Sequence, residues 1–327
     1  MANISDKICK ILFDEYGLEA QEISRMTTGV GGDTFLVRTS QEEFIYKIAD
    51  VNEMNHPEEE PEICSFLLDK GIAVSDFLRN KSGKFITTYD DTRVSHIQKY
   101  VEGKVFSMNE APEWYMEESP ILLGKIHNAL REYKELPMGI GADFFKYMTP
   151  QKAKKSFLLS YEVAKQRGEI RILDALEFRS KFVDKIADWK FNVDKLTYCN
   201  SHGDYTVNQI ICGEDKINAV IDWTCACMHP VIWEITRSFF YAEPSCADGN
   251  FDEMKFKKYV DGYCSVSGLT QYDKDNLLRL YLYQIAVCDY YAQYLSADAD
   301  KKEEYLLQAE FATKVLRNVG SWFVCFC

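Results

Sequence analysis

Two segments, His202-Gly203-Asp204-Tyr205 and Ile221-Asp222-Trp223, set two carboxylates 18 residues apart (222 − 204). The first places a histidine, a flexible glycine and an aspartate in a loop. The second ends an apolar run, Ala219-Val220-Ile221, on another aspartate. Between them stand Asn208-Gln209 and a short hairpin. Phosphoryl transfer from a nucleotide needs parts of this kind. One carboxylate takes the proton of an attacking hydroxyl, while a second carboxylate and a neutral amide hold the metal that binds the phosphates. Each part has a plainer reading, because loop aspartates commonly cap helices or close turns. Asp204 is the candidate base. Asp222, just past a buried strand, suits a hard-oxygen cation such as Mg2+ better than a surface ion pair.

Other residues offer supporting chemistry. Lys47 lies on the polar phase of Phe44-Ile45-Tyr46-Lys47-Ile48. It is either a solvent-facing strand lysine or a lysine reaching nucleotide phosphates. In the second case it needs an acid to hold it, and Glu62, fifteen residues on (62 − 47), is the expected partner. Glu58, Glu59 and Glu60 read as a solvated acidic turn. Upstream, Gly29, Gly31, Gly32 and Thr34 fall in a segment where glycines permit close backbone approach to phosphates. The same segment also reads as a glycine-rich hairpin without a ligand. It is no Walker A loop, since no Gly-Lys-Ser/Thr follows. His202 is expected to fix its loop by bonding nearby backbone. Glu234 and Arg237, at i and i+3 after His229-Pro230, are expected to buttress that loop or to form a plain surface pair.

These residues must be carried by a scaffold, and its outline is readable. Strand-like alternation recurs at 22–26, 35–38, 44–48, 76–79, 85–88 and 94–100. A helix beginning near Pro61 and closing at Gly71 is inserted among them. The first hundred residues read as a five-stranded antiparallel sheet drawn from these six segments, with one inserted helix. After Gly103 the pattern turns helical, with helices predicted over 114–130, 150–166, 172–191, 233–241, 251–266, 274–294 and 301–319, and one hairpin at 209–222. The fold class is α+β and bilobal: an N-lobe over 1–103, carrying the nucleotide, and a helical C-lobe over 104–327, carrying the catalytic loop and the acceptor pocket.

Bulk properties narrow the partners. The chain has 327 residues and a net charge of −13. Nucleic acid and anionic membranes attract basic surfaces, so neither is expected here. No secretory leader is read at Met1-Ala2-Asn3-Ile4, and no apolar run reaches the ~18 residues of a membrane span. The eleven cysteines then read as reduced thiols in a cytoplasmic protein, monomeric or homodimeric.

Taken together, His202-Gly203-Asp204 through Ile221-Asp222, with Lys47, Glu62, the hinge-like Gln98-Lys99-Tyr100-Val101-Glu102-Gly103 and the Leu123-Gly124-Lys125-Ile126-His127 helix, resemble the aminoglycoside phosphotransferase and choline kinase-like family. That family is a branch of the protein-kinase-like fold. The resemblance covers nearly the whole chain and implies ATP or GTP bound between lobes, with the base hydrogen-bonded near Tyr100 and Glu102. It implies Asp204 as base, Asp222 as ligand of Mg2+ and Lys47 on the phosphates. The family usually carries Asn five residues after the catalytic aspartate; here position 209 is Gln, followed by Ile210-Ile211. The apolar strand sets the register, so Gln209 is the aligned metal ligand; a one-residue slip would substitute Asn208.

The implied activity is γ-phosphoryl transfer to a hydroxyl of a small acceptor such as an aminoglycoside, a choline-like amino alcohol, homoserine or a sugar. The alternative is a catalytically weak, pseudokinase-like regulator, favoured only by Gln209. A protein kinase is disfavoured, because H-R-D and D-F-G segments are missing. Trp223, Tyr281, Tyr283, Tyr290, Tyr291 and Tyr294 are either core or, with the acidic charge, ring faces for a cationic acceptor.

Overall fold

The computed structural model describes residues 4–26, 33–51, 57–299 and 301–322, with side chains through Val319. The chain divides into two compact units. The first comprises 1–105 with 209–226, and the second 106–208 with 227–327.

The first unit is built on an antiparallel sheet of β1 (Glu22–Arg25), β2 (Asp33–Arg38), β3 (Glu43–Asp50), β4 (Thr87–Thr88) and β5 (Arg93–Lys99), in the order β1-β2-β3-β5-β4. Alternation along β2 and β3 buries Phe35, Val37, Phe44, Tyr46 and Ile48 on one face, where Ile8 and Leu12 from the helical segment α1 (Ile4–Ile11) and the turn after it cover them. The opposite face carries Lys47, paired in register with Thr34 of β2 and His96 of β5. The strand expected at 76–79 contributes only a single bridge, Phe77 to Gln98. The inserted helix α2 runs Glu59–Asp69.

The hairpin of β7 (Ile210–Cys212) and β8 (Ile217–Val220) groups with this unit, whereas the sequence boundary at 103 leaves it in the second lobe. The reason is hydrogen bonding. Val220 N–H donates to Ala73 O at 3.0 Å, and Lys104 and Cys212 exchange backbone bonds at 2.9 and 2.8 Å.

In the second unit, β6 (Tyr198–Ser201) pairs with β9 (Cys227–Pro230). Around this pair lie α3 (Glu113–Leu130), α4 (Ala142–Tyr147), α5 (Pro150–Arg167), α6 (Leu173–Lys185), α7 (Val231–Ala242), α8 (Glu253–Cys264), α9 (Gln271–Val287), α10 (Tyr290–Ser296) and α11 (Lys302–Trp322). The single helix predicted over 274–294 is two helices. Buried Arg179 takes the carbonyls of Ile285 and Cys288, which ends α9. Asp289 then starts α10 by accepting Ala292 N–H at 3.0 Å. The nine described cysteines are free thiols. Among the described residues, no helix is long and apolar enough to cross a membrane.

Candidate functional site

Each unit carries its own share of the predicted residues. In the first, Lys47 projects from the middle of β3, and its Nζ lies 3.8 Å from Asp222 Oδ1. Burial disfavours charge on Lys47, but the carboxylates of Glu60 and Asp222 more than offset it, so the ammonium is held charged. The acid acting on Lys47 is therefore Glu60, a correction to the expectation that named Glu62. Glu60 is buried, at 3% exposure, while Glu62 faces solvent. Helical geometry is the cause. Glu60, Ile63, Cys64 and Leu67 stand at i, i+3, i+4 and i+7 and share the buried face of α2. Glu62 points away from that face. The same periodicity was available in the sequence, and reading Glu60 as part of an acidic turn missed it.

Glu60 also reaches the segment beyond β8. Its Oε1 accepts Trp223 N–H at 3.1 Å, which anchors the backbone directly after Asp222. Asp222 is left-handed at φ 61°, ψ 67°, a conformation uncommon for a residue with a side chain but most accessible to Asn and Asp. This reversal ends the strand and begins the turn Trp223–Cys225. Thr224 Oγ1 donates to Asp222 Oδ1 at 2.8 Å and fixes the carboxylate. Across the hairpin, Gln209 O accepts Ile221 N–H at 2.9 Å, so Gln209 lies in register just before Asp222. Asn208 is exposed, and its Oδ1 already accepts Thr206 Oγ1–H at 2.6 Å.

His96, opposite Lys47, is buried; burial and the neighbouring ammonium push its pKa down to about 3, so it is neutral. Sequence reading gave it no role. Of the predicted base-binding groups, the Tyr100 amide is used by Glu43 O at 3.0 Å and the Glu102 carbonyl by Asn218 Nδ2 at 2.7 Å. Gly29, Gly31 and Gly32 lie outside the described residues.

The lysine correction makes a direct test. Glu60→Gln is expected to weaken nucleotide binding about tenfold or more, and Glu62→Gln to leave it unchanged, as titration calorimetry would show. Equal effects of the two variants would reject the assignment of Glu60.

In the second unit, Asp204 sits in the loop that leaves β6. Gly203 adopts φ 80°, a backbone region that favours glycine. With this bend, Gly203 N–H and Tyr205 N–H both donate to Glu234 Oε1, at 2.7 and 3.3 Å. Asp204 N–H donates to His202 Nδ1 at 3.2 Å, and Tyr205 O–H to Ser119 O at 3.0 Å. The loop is thus clamped on both sides of the aspartate.

Glu234 is fully buried on α7. Burial opposes its charge, yet the hydrogen bond with His127 Nε2 at 3.0 Å and the fields of His127, His202 and His229 hold its pKa down at about 2. His127 is fixed in turn by Tyr263 O–H at its Nδ1, 2.9 Å away. His229, whose Nδ1 accepts Ile140 N–H at 3.0 Å, is kept neutral; burial lowers its pKa to about 4.

Arg237 lies one turn on from Glu234, but the two do not pair with each other. Its Nη1 is 2.5 Å from Asp204 Oδ1, and its guanidinium lies over the rings of Tyr241 and Trp233, at 4.6 and 5.5 Å from their centroids. Burial works against this charge; Asp204, Tyr241 and Tyr290 outweigh it and raise the pKa further. Of the two readings of the aromatic residues, core or acceptor ring faces, most of them fit the first. Trp223, Tyr281, Tyr283, Tyr291 and Tyr294 are buried, and only Tyr290 is partly open.

The donor set for a metal is small. Among the described residues, no group of three or more His, Cys, Asp or Glu is arranged to hold one. Asp222 and, by its place in the hairpin register, Gln209 would supply two hard oxygens. That suits Mg2+, which commonly takes one or two protein ligands and fills its remaining positions with phosphate oxygens and water.

The comparisons with known proteins agree with this architecture. The profile of the Phosphotransferase enzyme family matches residues 22–269. No curated protein matches the chain. Among solved structures, the amicoumacin kinase hAmiN, in complex with AMP-PNP, Ca2+ and Ami, is similar at TM-score 0.66 and 11% identity, over 97% of this chain and 94% of that one. Spectinomycin phosphotransferase APH(9)-Ia, in complex with ADP and spectinomycin, is similar at TM-score 0.64 and 14% identity, over 96% and 98%. A microcompartment-associated aminopropanol kinase follows at TM-score 0.64 and 12% identity, over 97% and 98%. At such identities the structural likeness speaks for the fold, and the profile, spanning most of the chain, speaks for the family: the chain belongs to the Phosphotransferase enzyme family.

Proposed function

We propose that the protein is a small-molecule kinase that transfers the γ-phosphoryl of ATP or GTP to a hydroxyl of a small acceptor. The observation carrying this reading is the convergence of Lys47, Glu60 and Asp222. A charged lysine held by two carboxylates, one of them at a left-handed turn, is poorly explained as a stabilising device, because desolvation offsets most of the gain from such pairs. It is well explained as a preset phosphate contact.

In this reading Lys47 holds phosphate oxygens, and Glu60 keeps the lysine in place. Thr34, opposite Lys47 on the same sheet, is a further group proposed for the phosphates. The Tyr100 carbonyl and the Glu102 amide, an acceptor beside a donor, are the groups proposed for the purine edge. Asp222 and Gln209 would hold Mg2+, which neutralises charge on the phosphates when bound. Asp204 takes the proton of the acceptor hydroxyl as its oxygen bonds to the γ-phosphorus. The bond from that phosphorus to the bridging oxygen breaks, and the nucleoside diphosphate leaves. Glu234, with His127 and His202, holds the Asp204 loop.

The acceptors named for similar structures, antibiotics bound in two and an amino alcohol in the name of a third, set the starting panel. Wild-type protein is expected to consume nucleotide only with Mg2+ and a hydroxylated acceptor present. Asp222→Ala is expected to abolish metal-dependent nucleotide binding; unchanged Mg–nucleotide affinity by calorimetry would remove Asp222 from the site and this reading with it.

A further inference from the structure

Arg237 is the charged group nearest the carboxylate proposed as base, and most of its hydrogen-bonding capacity is unspent. A guanidinium has five N–H donors. Here Nη1 is buried and paired in charge with Asp204 Oδ1 at 2.5 Å, without a hydrogen bond of regular geometry, while Nε and Nη2 are not among the buried unsatisfied atoms of the described residues. The side chain is 14% exposed, and the open part of the fork is where an outside acceptor could reach it. It is also held still. Trp233, Arg237 and Tyr241 stand at i, i+4 and i+8 on α7, and the two rings flank the cation. Trp233 is tethered by Nε1–H to Gln284 Oε1 at 3.4 Å, and Gln284 Nε2–H reaches Tyr290 O–H at 2.8 Å.

An aromatic cage for a cation therefore exists beside Asp204, but the protein's own guanidinium fills it. A cationic acceptor group would meet a fixed positive charge there. An anionic group would meet a planar fork with free donors, whose geometry matches a carboxylate.

We infer that Arg237 is an acceptor-recognition residue and that the acceptor carries a carboxylate close to its reactive hydroxyl, as in a hydroxy acid or hydroxy amino acid. This deepens the kinase reading and rests on it for the identity of the hydroxyl. The hydroxyl must come within hydrogen-bond reach of Asp204 while the carboxylate bonds the guanidinium already touching Asp204. Both contacts span single hydrogen bonds, so roughly two to four bonds separate the two groups on the acceptor. Burial and the nearby Asp204 charge raise the pKa of Glu304, which puts a second carboxylate in the neighbourhood of Asp204.

The test uses matched probes that differ only by the carboxylate: L-serine against ethanolamine, L-threonine against 1-amino-2-propanol, and L-homoserine against 3-amino-1-propanol. In the full-length protein labelled with 15N-arginine, the Arg237 Nε resonance is assigned by its loss in Arg237→Lys. It is expected to shift and saturate with at least one carboxylate-bearing probe and not with its amino-alcohol counterpart. In coupled turnover, kcat/KM should favour the carboxylate member by roughly ten- to hundredfold, the worth of a charged hydrogen-bonded contact. Arg237→Met, which keeps the stem between the rings, should bring that ratio near one, mainly through KM.

The inference is overturned if no probe moves the resonance, if amino alcohols saturate it equally, or if Arg237→Met lowers kcat with the preference unchanged, the mark of a purely positioning role. A resonance that responds without any Asp204-dependent transfer would reject the kinase reading and keep the carboxylate site. Asp204-dependent transfer without a carboxylate preference would do the reverse.

Discussion

Asp204→Asn is expected to lower turnover by roughly 10²- to 10⁴-fold, the usual worth of a positioned general base, while leaving Mg–nucleotide affinity intact. The substitution preserves shape and removes the ability to take a proton. The loop should keep its course, because its anchors are the Gly203 and Tyr205 amides on Glu234, and the Asp204 side chain is not among them. Lys47, Glu60 and Asp222, the groups proposed for the nucleotide, belong to the other unit. One side effect is expected. Arg237 loses its counter-charge, so some stability should be lost, and turnover should be compared at a temperature where both proteins are folded. Coupled nucleotide consumption and calorimetry together decide the matter. Near-wild-type turnover would remove Asp204 as base, and a parallel loss of nucleotide affinity would move its role to the donor side.

Glu234→Ala should be the most damaging single change to stability, at roughly 3–5 kcal/mol, the range for removing one partner of a buried charge pair. It strips the acceptor from two loop amides and the carboxylate from His127 at once. Glu234→Gln keeps a carbonyl for the amides and should lose less. Urea midpoints with an unchanged m-value would measure both; a loss below about 1 kcal/mol for the alanine variant would mean the clamp is not a unit.

The pH dependence has a definite sign. Glu234 has its pKa lowered from 4.5 to about 2 in the folded state. Its contribution is therefore fully present above the unfolded value and is lost as pH falls from about 4.5 through 2; the shift corresponds to about 3 kcal/mol. His229 and His96, lowered from 6.5 to about 4 and about 3, act in the same direction. They bind protons more readily unfolded than folded, so stability begins to fall once pH drops below about 6.5. Glu234→Gln should flatten the acid limb between pH 4.5 and 2 and leave the limb nearer pH 6 unaltered.

Local patterns carried much of the architecture. Alternation over 33–50 and 93–99 places Lys47 on the face opposite Phe44, Tyr46 and Ile48, because side chains of a strand alternate. Helical spacing marks α3, α5, α7 and α8 to within a few residues. Where local reading fell short, a long-range partner decided. The break between α9 and α10 depends on Arg179, more than a hundred residues upstream, taking the carbonyls that would have continued the helix. The hairpin at 210–220 joins the first unit through Ala73 and Lys104.

The candidate site divides along the same line. By itself, the sequence determined which residue types stand in which order: Lys47, then Asp204, an amide, and Asp222. That order follows from motif spacing, and spacing is a property of the chain alone. Only the tertiary structure decided the partners. It set Glu60 rather than Glu62 on the lysine, His127 and two backbone amides on Glu234, and Arg237 on Asp204. The physical reason is that burial and hydrogen-bond satisfaction select among nearby charged residues, and both depend on groups brought together from distant parts of the chain.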